Sequence, residues 1–247
     1  METIAIINQK GGVAKSTTAT ALLAGLTLRG YKTLAIDLDA QCNLSLITNA
    51  STKGLTIAGV LAGAGAVEDA IQHTGQGDVI AGATELARAE AILQGKARHT
   101  LLRDALQPLK YDYLILDAPP ALNLITLNIL TASNRLVIPT QADLLGLQGI
   151  KALAETIEAV KLKSNPSLSI AGILLTRYNP RNIYTQELTE LMQEQAGKLG
   201  TKVFKHTIRE AIAIKESQIQ QQSLFSYAPK AKVTADYKGF IDELLEG

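Results

Sequence analysis

The sequence predicts an α/β fold, a mostly parallel twisted sheet with helices on both faces, and three observations carry that prediction. Short β-rich runs alternate with longer helical patterns from end to end. The strand runs are continuously apolar, as in a sheet covered on both sides. Of the 247 residues, 47% are apolar and 19% charged, enough to bury a core and unlike a disordered chain.

In chain order, residues 3–8 (TIAIIN) read as a buried strand and residues 15–29 as an Ala/Leu-rich helix stopped by Gly30. Residues 33–38 (TLAIDL) form the second strand. Residues 53–67 are the most loop-like interior stretch, with Leu55, Ile57, Val60 and Leu61 marking a short helix inside it. Strands follow at residues 112–116, 136–139 and 170–176, with helices over 126–132, 147–162 and 184–199. There is no internal repeat and no Pro/Ser-rich linker, so one domain over residues 1–247 is expected.

Composition removes several classes of function. One cysteine, Cys42, and three scattered histidines exclude a disulfide framework and a Cys/His zinc site, and a lone thiol fits a reducing cytosol. The N-terminal apolar run is too short, and its lysine too early, for a signal peptide. Residues 118–134 carry no charge but contain Pro119-Pro120 and several polar side chains, unlike a membrane span. A net charge of +1 means that any contact with a polyanion must be local.

Directly after the first strand comes Lys10-Gly11-Gly12-Val13-Ala14-Lys15-Ser16-Thr17, followed by a helix. Glycines let successive backbone N–H groups turn inward toward phosphate oxygens, and the helix N-terminus adds partial positive charge. Lys15 reaches the β- and γ-phosphates and Ser16 offers a hydroxyl to Mg²⁺. Gly11 fits the first glycine of GxxxxGK[ST] only loosely, and Ala14 replaces the last one, which requires a negative φ there.

A lysine at the start of the loop has no role in the common version. KGGVAKST, preceded by Asn8-Gln9, resembles the deviant Walker A motif, KGGxxK[ST]T, of the ParA/MinD superfamily of P-loop ATPases. The resemblance implies that ATP and Mg²⁺ bind here, that Lys15 acts in cis, and that Lys10 reaches in trans to phosphates held by the other subunit of an ATP-sandwich homodimer.

The second strand ends Asp37-Leu38-Asp39-Ala40-Gln41-Cys42-Asn43, with two acids spaced to point the same way into the crevice at the strand ends. This stretch is similar to the family's DxDxQxN segment, with Ala40 and Cys42 in place of proline and glycine. By that likeness Asp39 orients the attacking water, and Asp37 supports the metal shell or Lys15. Leu114-Ile115-Leu116-Asp117-Ala118-Pro119-Pro120 reads as the Walker B strand, its Asp117 holding the Mg²⁺ shell through water. Ile173-Leu174-Leu175-Thr176-Arg177 looks like the family strand whose end meets adenine, and His206-Thr207-Ile208-Arg209 like the loop that closes over it. Tyr227-Ala228-Pro229 and Asp236-Tyr237 resemble the C-terminal YxP…DY segment.

Subtraction narrows the branch. Cys42 alone cannot bridge an iron–sulfur cluster, which excludes the nitrogenase-type reductases. The last residues, GFIDELLEG, hold three acids and no base, unlike the basic amphipathic helix of membrane-bound MinD-type regulators. The first strand starts too early for an N-terminal helix-turn-helix domain. What remains resembles the compact ParA/Soj type, an ATPase that partitions plasmid or chromosomal DNA. That implies nonspecific double-stranded DNA, a ParB-like partner that stimulates slow hydrolysis, no membrane, and a cytoplasmic, nucleoid-associated place. Residues 198–238 carry eight bases and three acids, a local excess suited to phosphate contact, with Arg209, Lys215, Lys230 and Lys232 as the DNA candidates. A MinD-like positioning regulator and an amidotransferring synthetase are the alternatives.

Overall fold

The computed structural model describes residues 1–88, 93, 99–181 and 183–246. Strand β1 (Glu2–Ile6) leads through the glycine loop into α1 (Lys15–Leu28), then to β2 (Thr33–Asp37), α2 (Asn43–Thr48) and α3 (Ile57–Leu61). A hairpin of β3 (Ile71–Thr74) and β4 (Gly77–Ile80) follows, then α4 (Leu101–Leu106), β5 (Tyr113–Asp117), α5 (Leu124–Ala132) and β6 (Arg135–Thr140). The chain continues through α6 (Leu144–Lys163), β7 (Ser169–Leu175), α7 (Ile183–Lys198), α8 (Ile212–Ile219), α9 (Leu224–Tyr227) and α10 (Lys232–Glu246).

The seven strands make one sheet in the order β3-β4-β2-β5-β1-β6-β7, parallel except for the β3–β4 pair. Residues alternate between two cores. Ile4, Ile6, Ala35, Ile115 and Val137 pack under α1 and α10, whereas Ala5, Leu34, Ile36, Leu114, Leu116 and Ile138 pack under α5 and α6. Every parallel strand is thus buried on both faces, which is why its sequence reads as an unbroken apolar run. Asn123 and Asp143 cap α5 and α6, accepting from Thr126 N–H at 3.2 Å and Gly146 N–H at 2.6 Å. No described helix is long and apolar enough to cross a membrane.

The strand order changes direction at β1. From there the chain moves toward β2 on one side, and later to β6 and β7 on the other, which opens a crevice at the carboxyl ends. Register brings Asp117 beside both Ile6 and Asp37, so the two strand-end acids flank the start of the loop. Beyond β7, residues 203–208 run extended alongside it, with bridges Ile173–Val203 and Thr176–Ile208.

Candidate functional site

The glycine loop wraps into α1 with Gly12 at φ +75° and Ala14 at +66°. The negative φ expected of Ala14 is therefore corrected. Its left-handed conformation is held from both sides, by Thr18 N–H donating to Ala14 O at 2.9 Å and Thr176 Oγ1 donating to Val13 O at 3.2 Å. Left-handed alanine costs roughly 1–2 kcal/mol. Ala14 is the N-cap of α1 and offers no side-chain acceptor, so the first N–H groups of the helix stay free for an anion.

A cleft of about 720 Å³ opens over this loop, lined by Gly11, Gly12, Ala14, Lys15, Ser16 and Thr17. Lys15 is 7% exposed and its Nζ donates to Lys10 O at 3.1 Å. Burial lowers its pKa against the pull of Asp117 and Asp39. Lys10 does not line the cleft, and its Nζ sits 2.6 Å from Asp143 Oδ2 at the head of α6. Asn8 sets this geometry by bonding Pro139 O through Nδ2 at 2.8 Å and Lys10 N–H through Oδ1 at 3.0 Å.

The three acids divide by environment. Asp39 lines the cleft and its Oδ1 accepts from Gln41 N–H at 3.0 Å. Asp37 is fully buried, with both oxygens engaged: Oδ1 by Asp39 N–H at 3.2 Å, Oδ2 by Ser45 N–H at 2.8 Å and Ser45 Oγ at 2.7 Å. Its Oδ2 thus anchors the start of α2 through Ser45, while Oδ1 accepts one hydrogen bond and keeps a lone pair. Asp117 is the opposite case. It is fully buried, neither oxygen has a hydrogen-bond partner, and the neighbouring Ser16 hydroxyl does not meet hydrogen-bond geometry with it. Burial first, then the Asp37 charge, raises its pKa well above the ordinary value.

Such a carboxylate beside a loop serine suits a hard cation that takes its remaining ligands from phosphates and water. Among the described residues no cluster of three or more His, Cys, Asp or Glu side chains could hold a metal ion by itself. Ser16 and Asp117, with Asp39 close by, are the fitting donors.

Of the residues expected at the base, Thr176 and Ile208 both line the cleft and are also bonded into the frame. Thr176 is buried, its hydroxyl donating to Val13 O and to Thr140 O, the latter at 3.1 Å, while Ile208 N–H donates to Leu175 O at 2.8 Å. Arg177, exposed and at φ +50°, and Arg209 both line the cleft. The DNA candidates separate: Arg209 and Lys215 line the cleft, and exposed Lys230 and Lys232 lie at the start of α10, outside its lining. Sequence reasoning missed Gln218, whose Nε2 donates to Thr17 Oγ1 at 3.0 Å, and Gln221, which binds Leu46 O. The run QIQQQ was the available signal, a set of amides in reach of the loop.

Residues 1–170 match a family model described as an AAA domain. The chromosome-partitioning ATPase Soj of Thermus thermophilus is 34% identical over 255 residues, covering 98% of this chain and 94% of that protein. The chromosome partitioning protein ParA of Caulobacter vibrioides is 34% identical over 226 residues, 88% of this chain and 84% of that protein. Among solved structures, cobyrinic acid a,c-diamide synthase from Mycobacterium smegmatis with bound ADP and magnesium is similar at a TM-score of 0.85 and 30% identity, covering 100% of this chain and 94% of that one.

Proposed function

The chain belongs to the ParA/MinD family of P-loop ATPases, and we propose that within it the protein is a DNA-partition ATPase of the ParA/Soj type. In this reading residues 1–247 form one ATPase domain, and ATP closes two copies into a sandwich dimer that binds double-stranded DNA without sequence preference. A ParB-like partner stimulates an otherwise slow hydrolysis, and the dimer leaves the DNA. The protein works in the cytoplasm, on the nucleoid.

The observation that carries the reading is the divergence of two lysines. Lys15 lines the cleft, whereas Lys10 is held at its rim by Asp143, with 26% of its side chain exposed. A lysine so held serves no phosphate in its own cleft and is available to a second copy's. Leu144 and Leu145, next along the chain from Asp143, are 71% and 65% exposed, an apolar pair that a second copy would cover.

The chemistry is positioning and charge neutralisation around the γ-phosphate. Lys15 and the free N–H groups of α1 hold the phosphates, and Ser16 and Asp117 hold Mg²⁺. Bound with ATP, the ion offsets phosphate charge. Asp39 orients the attacking water, with Gln41 N–H fixing its carboxylate.

The likeness to a diamide synthase favours a second reading, a metabolic enzyme that activates a small molecule. Burial pushes the thiol of Cys42, the one cysteine, up to about 11, the opposite of the lowered pKa that favours a nucleophile for releasing nitrogen from an amide donor. A MinD-like positioning regulator would use the same switch at a membrane, but the apolar face of α10 is already buried against α1. Phosphate release tests the reading. Asp39→Ala is expected to keep ATP affinity and lose at least about tenfold in turnover, while Lys15→Ala loses nucleotide affinity itself. Turnover in Asp39→Ala equal to the wild type would remove Asp39 from this role.

A further inference from the structure

Arg209 lies on the wall of the cleft, and its guanidinium does not hang free. Asp236, on α10, accepts from Arg209 Nε at 2.6 Å, from Nη2 at 2.7 Å and from the backbone N–H at 3.2 Å. The carboxylate is 11% exposed and the arginine side chain 46%, so the acid is buried behind the base it holds. The next residue, Tyr237, is fully buried and lines the same cleft, with its hydroxyl 3.5 Å from Thr18 Oγ1 on α1. Two consecutive residues of α10 thus reach the cleft wall and the helix that follows the phosphate loop. Between them and β7, Ile208 is tied down through Leu175 O and Tyr178 N–H.

A nucleotide with its phosphates on the N-terminus of α1 must extend its base and ribose into the rest of the cleft, past the wall that includes Thr176, Arg177 and Arg209. Arg177 and Lys215 in that wall are exposed and make no ion pair among the described residues, so each must lose side-chain freedom to meet a ligand. Arg209 has already lost it. With Nε and Nη2 both engaged by Asp236, the guanidinium plane is fixed, and a fixed planar guanidinium can stack on an aromatic ring. The same pairing neutralises Arg209 as an attractor of DNA phosphates.

We propose that Asp236 is a positioning residue for the nucleoside end of the bound nucleotide, fixing Arg209 as a rigid planar wall while the loop alone holds the phosphates. The proposal rests on the nucleotide reading of the cleft. It is separated from that reading by two probes, ATP and inorganic tripolyphosphate, the second lacking base and ribose. Calorimetry on the full chain with Mg²⁺ would compare the wild type with Asp236→Asn, which keeps the size and one acceptor oxygen, and with Arg209→Ala. ATP affinity is expected to fall roughly threefold to tenfold in both variants, with tripolyphosphate affinity unchanged. Combining the two substitutions should cost no more than one alone, because each removes the same device. Equal losses for both probes in Asp236→Asn, or unchanged ATP affinity, would overturn the proposal alone. A wild-type protein that bound neither probe would overturn the nucleotide reading and the proposal with it.

Discussion

Asp117 is placed at the end of β5 by an ordinary apolar strand, yet neither of its buried oxygens has a hydrogen-bond partner. Its raised pKa has a sign that can be worked out. Above the ordinary value of 3.8 and up to the raised folded value, the folded state holds its proton more tightly than the unfolded chain does. Stability of the nucleotide-free protein therefore falls as pH rises through that window. Asp117→Asn removes the charge, and urea midpoints without nucleotide at pH 7 should show a gain of about 1 kcal/mol or more, alongside lost ATP turnover. A variant less stable than the wild type would contradict this. Function here opposes stability, as at many active sites. Ala14 and Asp37 show where residue-scale reading stops. The motif named both positions, but the left-handed φ of Ala14 is supported by Thr176, and Oδ2 of Asp37 is taken by Ser45. Neither partner is recognisable from local spacing.

Among the elements, β7, the extended segment 203–208 and α10 are fitted most tightly. Gly172 on β7 faces the Phe204 ring so closely that a Cβ would lie 2.6, 2.8 and 2.9 Å from three ring atoms. Phe204 cannot swing away, being 1% exposed and packed edge-on against Phe240 at 5.0 Å. Gly172→Ala should therefore destabilise by about 1–3 kcal/mol through overpacking, read from urea midpoints, although alanine usually suits a strand better than glycine. An unchanged midpoint would mean the rings yield freely. The parallel strands were legible because each is apolar on both faces. The β3–β4 hairpin was not: IQHT and GDVI are only four residues each and half polar, β3 lies at the sheet edge, and only Val79 and Ile80 of β4 reach the two cores. The helices α8, α9 and α10 lie in a stretch where bases and motif residues interrupt the apolar pattern. The apolar face of α10, with Val233, Tyr237, Phe240, Ile241 and Leu244, has the spacing of a buried helix.

For the whole molecule, the partition reading links charge and assembly. Lys215, Lys230 and Lys232 are exposed and make no ion pair among the described residues, while Arg209 carries Asp236 with it. Two such patches on one dimer would engage a duplex together and raise apparent affinity without new contacts. DNA binding should accordingly require ATP and fall steeply with salt. Replacing Lys230 and Lys232 should lower the log–log salt slope by roughly 0.9 per lost phosphate contact on any random duplex. Anisotropy showing the same slope in the variant would leave these lysines as a solvated face. On the proposed reading assembly depends on Lys10, which must leave Asp143 to reach a second cleft. The most direct measurement is light scattering of the wild type and Lys10→Ala with ATP and with ADP. A wild-type dimer with ATP only, and a Lys10→Ala variant that binds ATP yet stays monomeric, is the expected result; a wild-type mass that ignores ATP, or a variant that dimerises as well as the wild type, would contradict it.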